Sequence, residues 1–154
     1  MSEIKIGIGY GNIKFGITRD DLTKIAGKPN DKELYNASGE EDGFLTETWH
    51  YDDDEFSVSF DEEDNWRLTT ISTSFADCDF NGLKLIGKGL DHVLALLENE
   101  NLGENELEDL SDEFINQKVV NLLPSSLNLW FEDDDLSEIQ WGVLWSDEDT
   151  PKWP

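Results

Sequence analysis

Residues 46–75 read TETWHY, DDDE, FSVSF, DEEDN and WRLTTISTSF in succession. Trp49 and Tyr51 fall on one side of an extended chain, and Phe56, Val58 and Phe60 alternate with Ser57 and Ser59. That period of two sends neighbouring side chains to opposite faces of a strand. The acidic runs at 52–55 and 61–64 interrupt the alternation and read as turns, and a third strand runs through Leu68, Ile71 and Thr73. The stretch is therefore an antiparallel meander with an apolar face and a serine-bearing face.

Upstream, Ile4, Ile6 and Ile8 alternate with Lys5 and Gly7, and Ile13 and Phe15 resume the pattern after 9–12, so the chain opens with a strand and a turn. A helix follows. Thr18 caps it with Asp21 in the capping-box position, Leu22 and Ile25 share a face, and Gly27 and Pro29 end it. Residues 33–43 are polar and read as a loop. Downstream, Leu83 and Leu85 mark an extended segment, and Leu90, Val93, Leu94 and Leu97 recur at helical spacing. The acidic segment 98–112 reads as either a loop or a helix. Ser111 starts a further helical turn through Phe114 and Ile115, with Pro124 as its latest end. Strands return through Leu127, Leu129 and Phe131 and, after an acidic turn at 132–135, through Ile139, Trp141, Val143 and Trp145.

The halves share an order. Leu22 and Ile25 correspond to Val93 and Leu96, and Phe60 to Phe131, at an offset of 71 residues; Leu68 and Ile71 correspond to Leu136 and Ile139 at 68. The expected fold is α+β: two tandem strand, helix and antiparallel meander units, 1–75 and 76–146, forming one sheet with the helices packed on one face. They make a single domain over 1–154 with a short loose tail at 147–154.

The chain holds 36 Asp and Glu against 11 Lys and Arg, a net charge of −25. Residues 1–32 carry six basic and four acidic side chains, net +2, which leaves five and 32, net −27, for 33–154. Such a field repels nucleic acid and anionic lipid and attracts a basic protein. No run approaches the ~18 apolar residues of a spanning helix, and the start MSEIKIGIGYGN has no basic segment leading into an apolar core. The expectation is a cytoplasmic protein that engages neither nucleic acid nor membrane. The single Cys78 has no partner for an internal disulfide, in keeping with a reducing compartment, and reads as a packed side chain.

Gly7, Gly9 and Gly11 invite a phosphate-binding reading, but Asn12 or Lys14 stands where the third glycine of the dinucleotide fingerprint belongs. His50 and His92 lack a second His or Cys at a metal-ligating interval. The acidic runs miss the calcium-loop pattern, at Phe56 and Ser57 counted from Asp52 and at Leu102 counted from Glu98. No Gly-x-Ser-x-Gly elbow is present. The sequence thus assigns no catalytic residue, cofactor or metal. A carboxylate-dependent hydrolase is the minor enzymatic reading, since so many acids could form a pair by folding. What stands out is acidic turns beside aromatics: Asp52, Asp53, Asp54 and Glu55; Asp61, Glu62, Glu63, Asp64 and Trp66; Asp133, Asp134 and Asp135; Trp145 and Asp147. Aromatic anchors concentrate binding energy while flanking charges steer encounter, so these are the candidate partner-binding residues.

The segment FGITRDDLTKIAGKPN (15–30), followed by aromatic strands separated by acidic turns and then by a second copy, resembles small bacterial inhibitor modules built from tandem helix-plus-sheet repeats, of the β-lactamase inhibitory protein type. It also resembles the immunity proteins that neutralise polymorphic or contact-dependent toxins. The resemblance implies a protein without enzymatic activity that neutralises a basic toxin, such as a nuclease, by direct binding. The alternative is an adaptor or housekeeping domain whose acidity serves solubility alone.

Overall fold

The computed structural model describes residues 2–36, 43–100, 106–109, 117–122, 125–147 and 150–154. Its strands, numbered in chain order, are β1 (Glu3–Lys5), β2 (Gly9–Tyr10), β3 (Ile13–Lys14), β4 (Asp31–Tyr35), β5 (Thr46–Tyr51), β6 (Phe56–Asp61), β7 (Arg67–Thr73), β8 (Asp79–Phe80), β9 (Glu106–Asp109), β10 (Gln117–Leu122), β11 (Leu127–Glu132), β12 (Asp135–Gly142), β13 (Trp145–Asp147) and β14 (Thr150–Pro151). The helices are α1 (Arg19–Ala26) and α2 (Leu90–Leu97).

Strands β4 to β7 form one antiparallel meander and β9 to β12 another. They join where β7 pairs antiparallel with β12, giving one eight-stranded sheet in the order β4-β5-β6-β7-β12-β11-β10-β9. Followed across its register, one face carries Trp49, Val58, Ile71, Trp141, Leu127 and Leu122 in a line, all buried. One residue along each strand the side chains turn to the other face. There the line reads Asp31, His50, Ser57, Ser72, Gln140, Asn128, Asn121 and Glu106, polar on every strand. Alternation in the sequence has thus built a sheet with one apolar and one polar face.

The expected α+β arrangement, with helices as the layer on the sheet, does not form. Strands make up 48% and helical turns 20% of the structure. A second sheet, order β3-β2-β1-β8, whose Ile4, Tyr10, Ile13 and Phe80 are buried, shares the core of the apolar face with the two helices. The Tyr10 ring lies 5.6 Å from Trp141 and 5.8 Å from Phe56, and Trp141 Nε1 donates to Gly9 O at 3.2 Å. The physical reason is helix length. Each helix has eight residues, and α1 buries only Leu22 while α2 buries Val93 and Leu97. At 1.5 Å per residue such a helix is roughly 12 Å long, whereas eight strands span roughly 34 Å, so two of them leave most of the face for strands to cover.

Gly9 is needed where β2 turns toward β3: at φ +155, a Cβ would lie 1.9 Å from Ile13 O. The glycines of GIGYGN serve this tight crossing. The segment read as a loop at 33–43 begins inside an edge strand, β4, whose five side chains are all exposed and so leave no alternation; 37–42 lie outside the described residues. Of the acidic segment 98–112, residues 98–100 make a 3-10 turn and 106–109 the edge strand β9. The helical turn expected at 111–115 lies outside the described residues, and the chain ahead of Pro124 is strand β10. Val119 and Val120, adjacent and both buried, face opposite sides of the sheet there, which removes the period-two signal.

Both meanders are held to the rest of the chain in the same way. Gly16 N donates to Leu68 O and Leu68 N to Ile17 O, at 2.8 and 2.9 Å; Gly87 N donates to Leu136 O and Leu136 N to Lys88 O, at 2.8 and 2.9 Å. Register shifts fall between Ser59 and Phe60 and between Trp130 and Phe131. No described helix is long and apolar enough to cross a membrane.

Candidate partner-binding site

Antiparallel connection sends successive turns to opposite ends of the sheet. The β5–β6 turn (52–55) and the β11–β12 turn (133–134) project from one end. The β6–β7 turn (62–66) and the β13–β14 hairpin lie toward the other. The candidate residues are therefore split into two groups by the length of the strands.

At the first end Asp52–Asp54 form a 3-10 turn and Glu55 closes it in the left-handed region, at φ 56. The backbone is tied on several sides. Asp52 N donates to Asn30 Oδ1 at 2.8 Å, Glu55 N to Asp52 O at 3.3 Å, and Glu55 O accepts from Ser74 N at 3.0 Å and Thr73 Oγ1 at 3.2 Å. All four acidic side chains are exposed. The turn thus presents a dense negative charge on a fixed frame, which limits the ordering cost of binding.

Two cavities flank this turn. On the polar side a cavity of about 190 Å³ is lined by Tyr51, Asp52, Glu55, Phe56, Ser57, Ser72, Ser74 and Glu138. Burial raises the Glu138 carboxyl above its ordinary range, with a hydrogen bond from Ser72 acting the other way. On the apolar side a cavity of about 500 Å³ lies against Tyr10, Ile13, Ile25, Ala26, Phe56 and Phe75, with Asp53 and Asp54 also lining it. Burial likewise raises the Tyr10 phenol, whose hydroxyl lies 3.3 Å from Thr73 Oγ1.

The β11–β12 turn adds Asp133, Asp134 and Asp135, all exposed, with Asp133 and Asp134 at positive φ. Lys118 Nζ lies 2.7 Å from Asp134 Oδ1, and Asp134 O accepts from Leu90 N, so the turn also holds the start of α2.

At the second end several candidates brace the fold. Asp61 accepts from Thr46 Oγ1 at 2.7 Å and Thr69 Oγ1 at 2.6 Å, two buried threonines. Glu62 Oε1 accepts from Leu45 N at 3.1 Å. Trp66 is half-buried, with the Arg19 guanidinium 4.6 Å from its ring centroid and itself 3.3 Å from Glu47. Burial, reinforced by Asp61 and Glu63, raises the Asp64 carboxyl. Trp145 is 42% exposed and lines a cavity of about 310 Å³ with Asp61, Asn128 and Gln140; Glu63 and Asp147 are exposed.

Sequence reasoning passed over Glu138, Tyr10 and Phe75. Glu138 lies among alternating residues on the same face as Gln140, and the pairing of β12 with β7, Ile139 opposite Thr73 and Gln140 opposite Ser72, places it at the cavity. No composition signal marks such a pairing. His50 stands on the polar face, its Nδ1 2.8 Å from Ser57 Oγ and its Nε2 3.5 Å from Glu33 Oε1. This line of hydroxyl, imidazole and carboxylate stands on the flat of the sheet. The β5 and β6 backbones there pair with their neighbours, so their N–H groups do not converge as oxyanion donors do. Cys78 is buried, and burial pushes its thiol up to about 11, which suits packing and not nucleophilic attack.

Comparison with protein-family models, with curated proteins and with solved structures finds no match.

Proposed function

We propose that this chain is an acidic protein-binding inhibitor of the immunity type, which neutralises a basic protein, such as a nuclease toxin, by direct binding. One observation carries the reading: the fixed turn at 52–55 exposes four carboxylates between two cavities, at the end of the sheet where Asp133, Asp134 and Asp135 also project. Like charges gathered on a tied backbone cost folding stability, a cost that a cationic partner surface would offset. The remaining charge, −25 in all, would draw such a partner in over a distance set by salt.

Acid–base hydrolysis pairs a raised carboxyl with an ionised one in a substrate-sized cleft. Glu138, raised by burial, shares its cavity with Asp52 and Glu55 of the exposed turn, but that cavity of about 190 Å³ is below the roughly 300 Å³ of ordinary ligand sites, which favours binding over acid–base chemistry.

The test is capture from lysate of the native host at low salt, followed by assay of the captured protein with and without this chain. The expected result is one basic partner whose activity falls on stoichiometric addition. Recovery of no basic partner, or of one whose activity is unaffected, would count against the proposal.

A further inference from the structure

The cavity on the apolar side of the 52–55 turn carries an inference that rests on the basic-partner reading and makes it chemically specific. Its volume, about 500 Å³, falls within the roughly 300–1,000 Å³ of ordinary ligand sites. Tyr10, Phe56 and Phe75 line it with Ile25, 47% exposed, and so do Asp53 and Asp54; Ser2, Asn12, Ile13 and Ala26 are the other described residues against it. No Lys or Arg is among the described residues that line it.

Aromatic side chains beside carboxylates suit an organic cation on an aliphatic stem: the apolar wall removes the stem from water, and the carboxylates accept the cation's hydrogen bonds. The chain itself shows the arrangement elsewhere. The Arg19 guanidinium lies 4.6 Å from the Trp66 centroid and 3.3 Å from Glu47 Oε2, and Lys32 Nζ lies 4.4 Å from the Trp49 centroid. In those places the chain's own cation covers the ring. Among the described residues, the cavity offers aromatic side chains and carboxylates with no such cation.

We propose that this cavity is an anchor pocket for a single arginine side chain of the partner, its methylene stem among Tyr10, Phe56 and Phe75 and its guanidinium on Asp53 and Asp54. Arginine fits better than lysine because a planar guanidinium stacks on a ring while still donating to two carboxylates. The turn carrying those carboxylates is held before binding by Asn30, Thr73 and Ser74, so the pocket is formed in advance. One buried cation of this kind acts as a hot spot, and Asp52 and Glu55 beside it steer the encounter.

Titration of N-acetyl-arginine amide into the full-length chain, followed by backbone amide NMR, tests the pocket without the partner. Saturable shifts are expected at Tyr10, Phe56 and Phe75, and none from the neutral N-acetyl-citrulline amide. Joint Asp53→Asn and Asp54→Asn substitution should weaken arginine binding about tenfold or more, as loss of a paired charge requires. Ile25→Arg, at a lining position 47% exposed, should abolish it by placing a cation at the cavity. Equal shifts from the two amides, no shift from either, or arginine shifts unchanged in both variants would overturn the pocket. Those results leave capture of a basic partner standing as a separate question. Failure of the capture with a positive titration would instead remove the partner and keep the pocket.

Discussion

Asp61 and Glu138 exchange the roles that their sequence contexts suggest. Asp61 opens an acidic run and reads as surface charge, yet both its oxygens accept from buried threonine hydroxyls. Glu138 is a single acid in an alternating strand, yet it lines a cavity and burial raises its carboxyl. An acid whose folded value is raised binds its proton more tightly when folded, so its contribution to stability is present in acid and is lost as pH rises through the folded value. Glu138→Gln, which keeps a partner for Ser72, should therefore exceed the wild type in stability at neutral pH and match it in acid. Urea midpoints at the two conditions decide this, and a variant less stable at neutral pH would contradict the burial account. The acidic turns themselves were legible in the sequence, because charge runs cannot sit inside a strand with a buried face. Which acids face a hydroxyl, a cavity or water was not, because that depends on the pairing of distant strands, such as β7 with β12.

Among the elements, α1 was the most legible. Its capping box forms as read, with Asp21 N donating to Thr18 Oγ1 and Thr18 N to Asp21 Oδ2, each at 3.2 Å. Thr18→Ala should cost about 1 kcal/mol, seen as a lower urea midpoint at unchanged slope; no change would mean that packing of Leu22 alone holds the helix. The strands with one buried face, β5, β6, β7, β11 and β12, were legible for the same kind of reason: alternation reports a single buried face directly. Strands β4 and β10 were not. One buries none of its side chains, and the other buries adjacent valines on both faces. The turn at 52–55 draws its character from outside itself, since its acids are local but the bonds that fix it come from Asn30, Thr73 and Ser74.

At the scale of the molecule, helix length decides the fold class. Two amphipathic helices of eight residues each are too short to cover an eight-stranded sheet, and the segment around Ile4, Tyr10 and Ile13 packs into the same core as strands. The net charge of −25 belongs to the whole chain, and among the described residues the end bearing residues 52–55 and 133–135 carries seven exposed carboxylates, of which Asp134 is paired with Lys118. The central claim is that this end meets a basic protein. Its most direct test is the association rate with the captured partner as a function of ionic strength, for the wild type and for a variant carrying Asp52→Asn, Asp53→Asn and Asp54→Asn. The account predicts a wild-type rate that falls steeply with salt and a variant that associates more slowly and with a shallower salt dependence. Equal rates and equal salt dependence in the two proteins would contradict it.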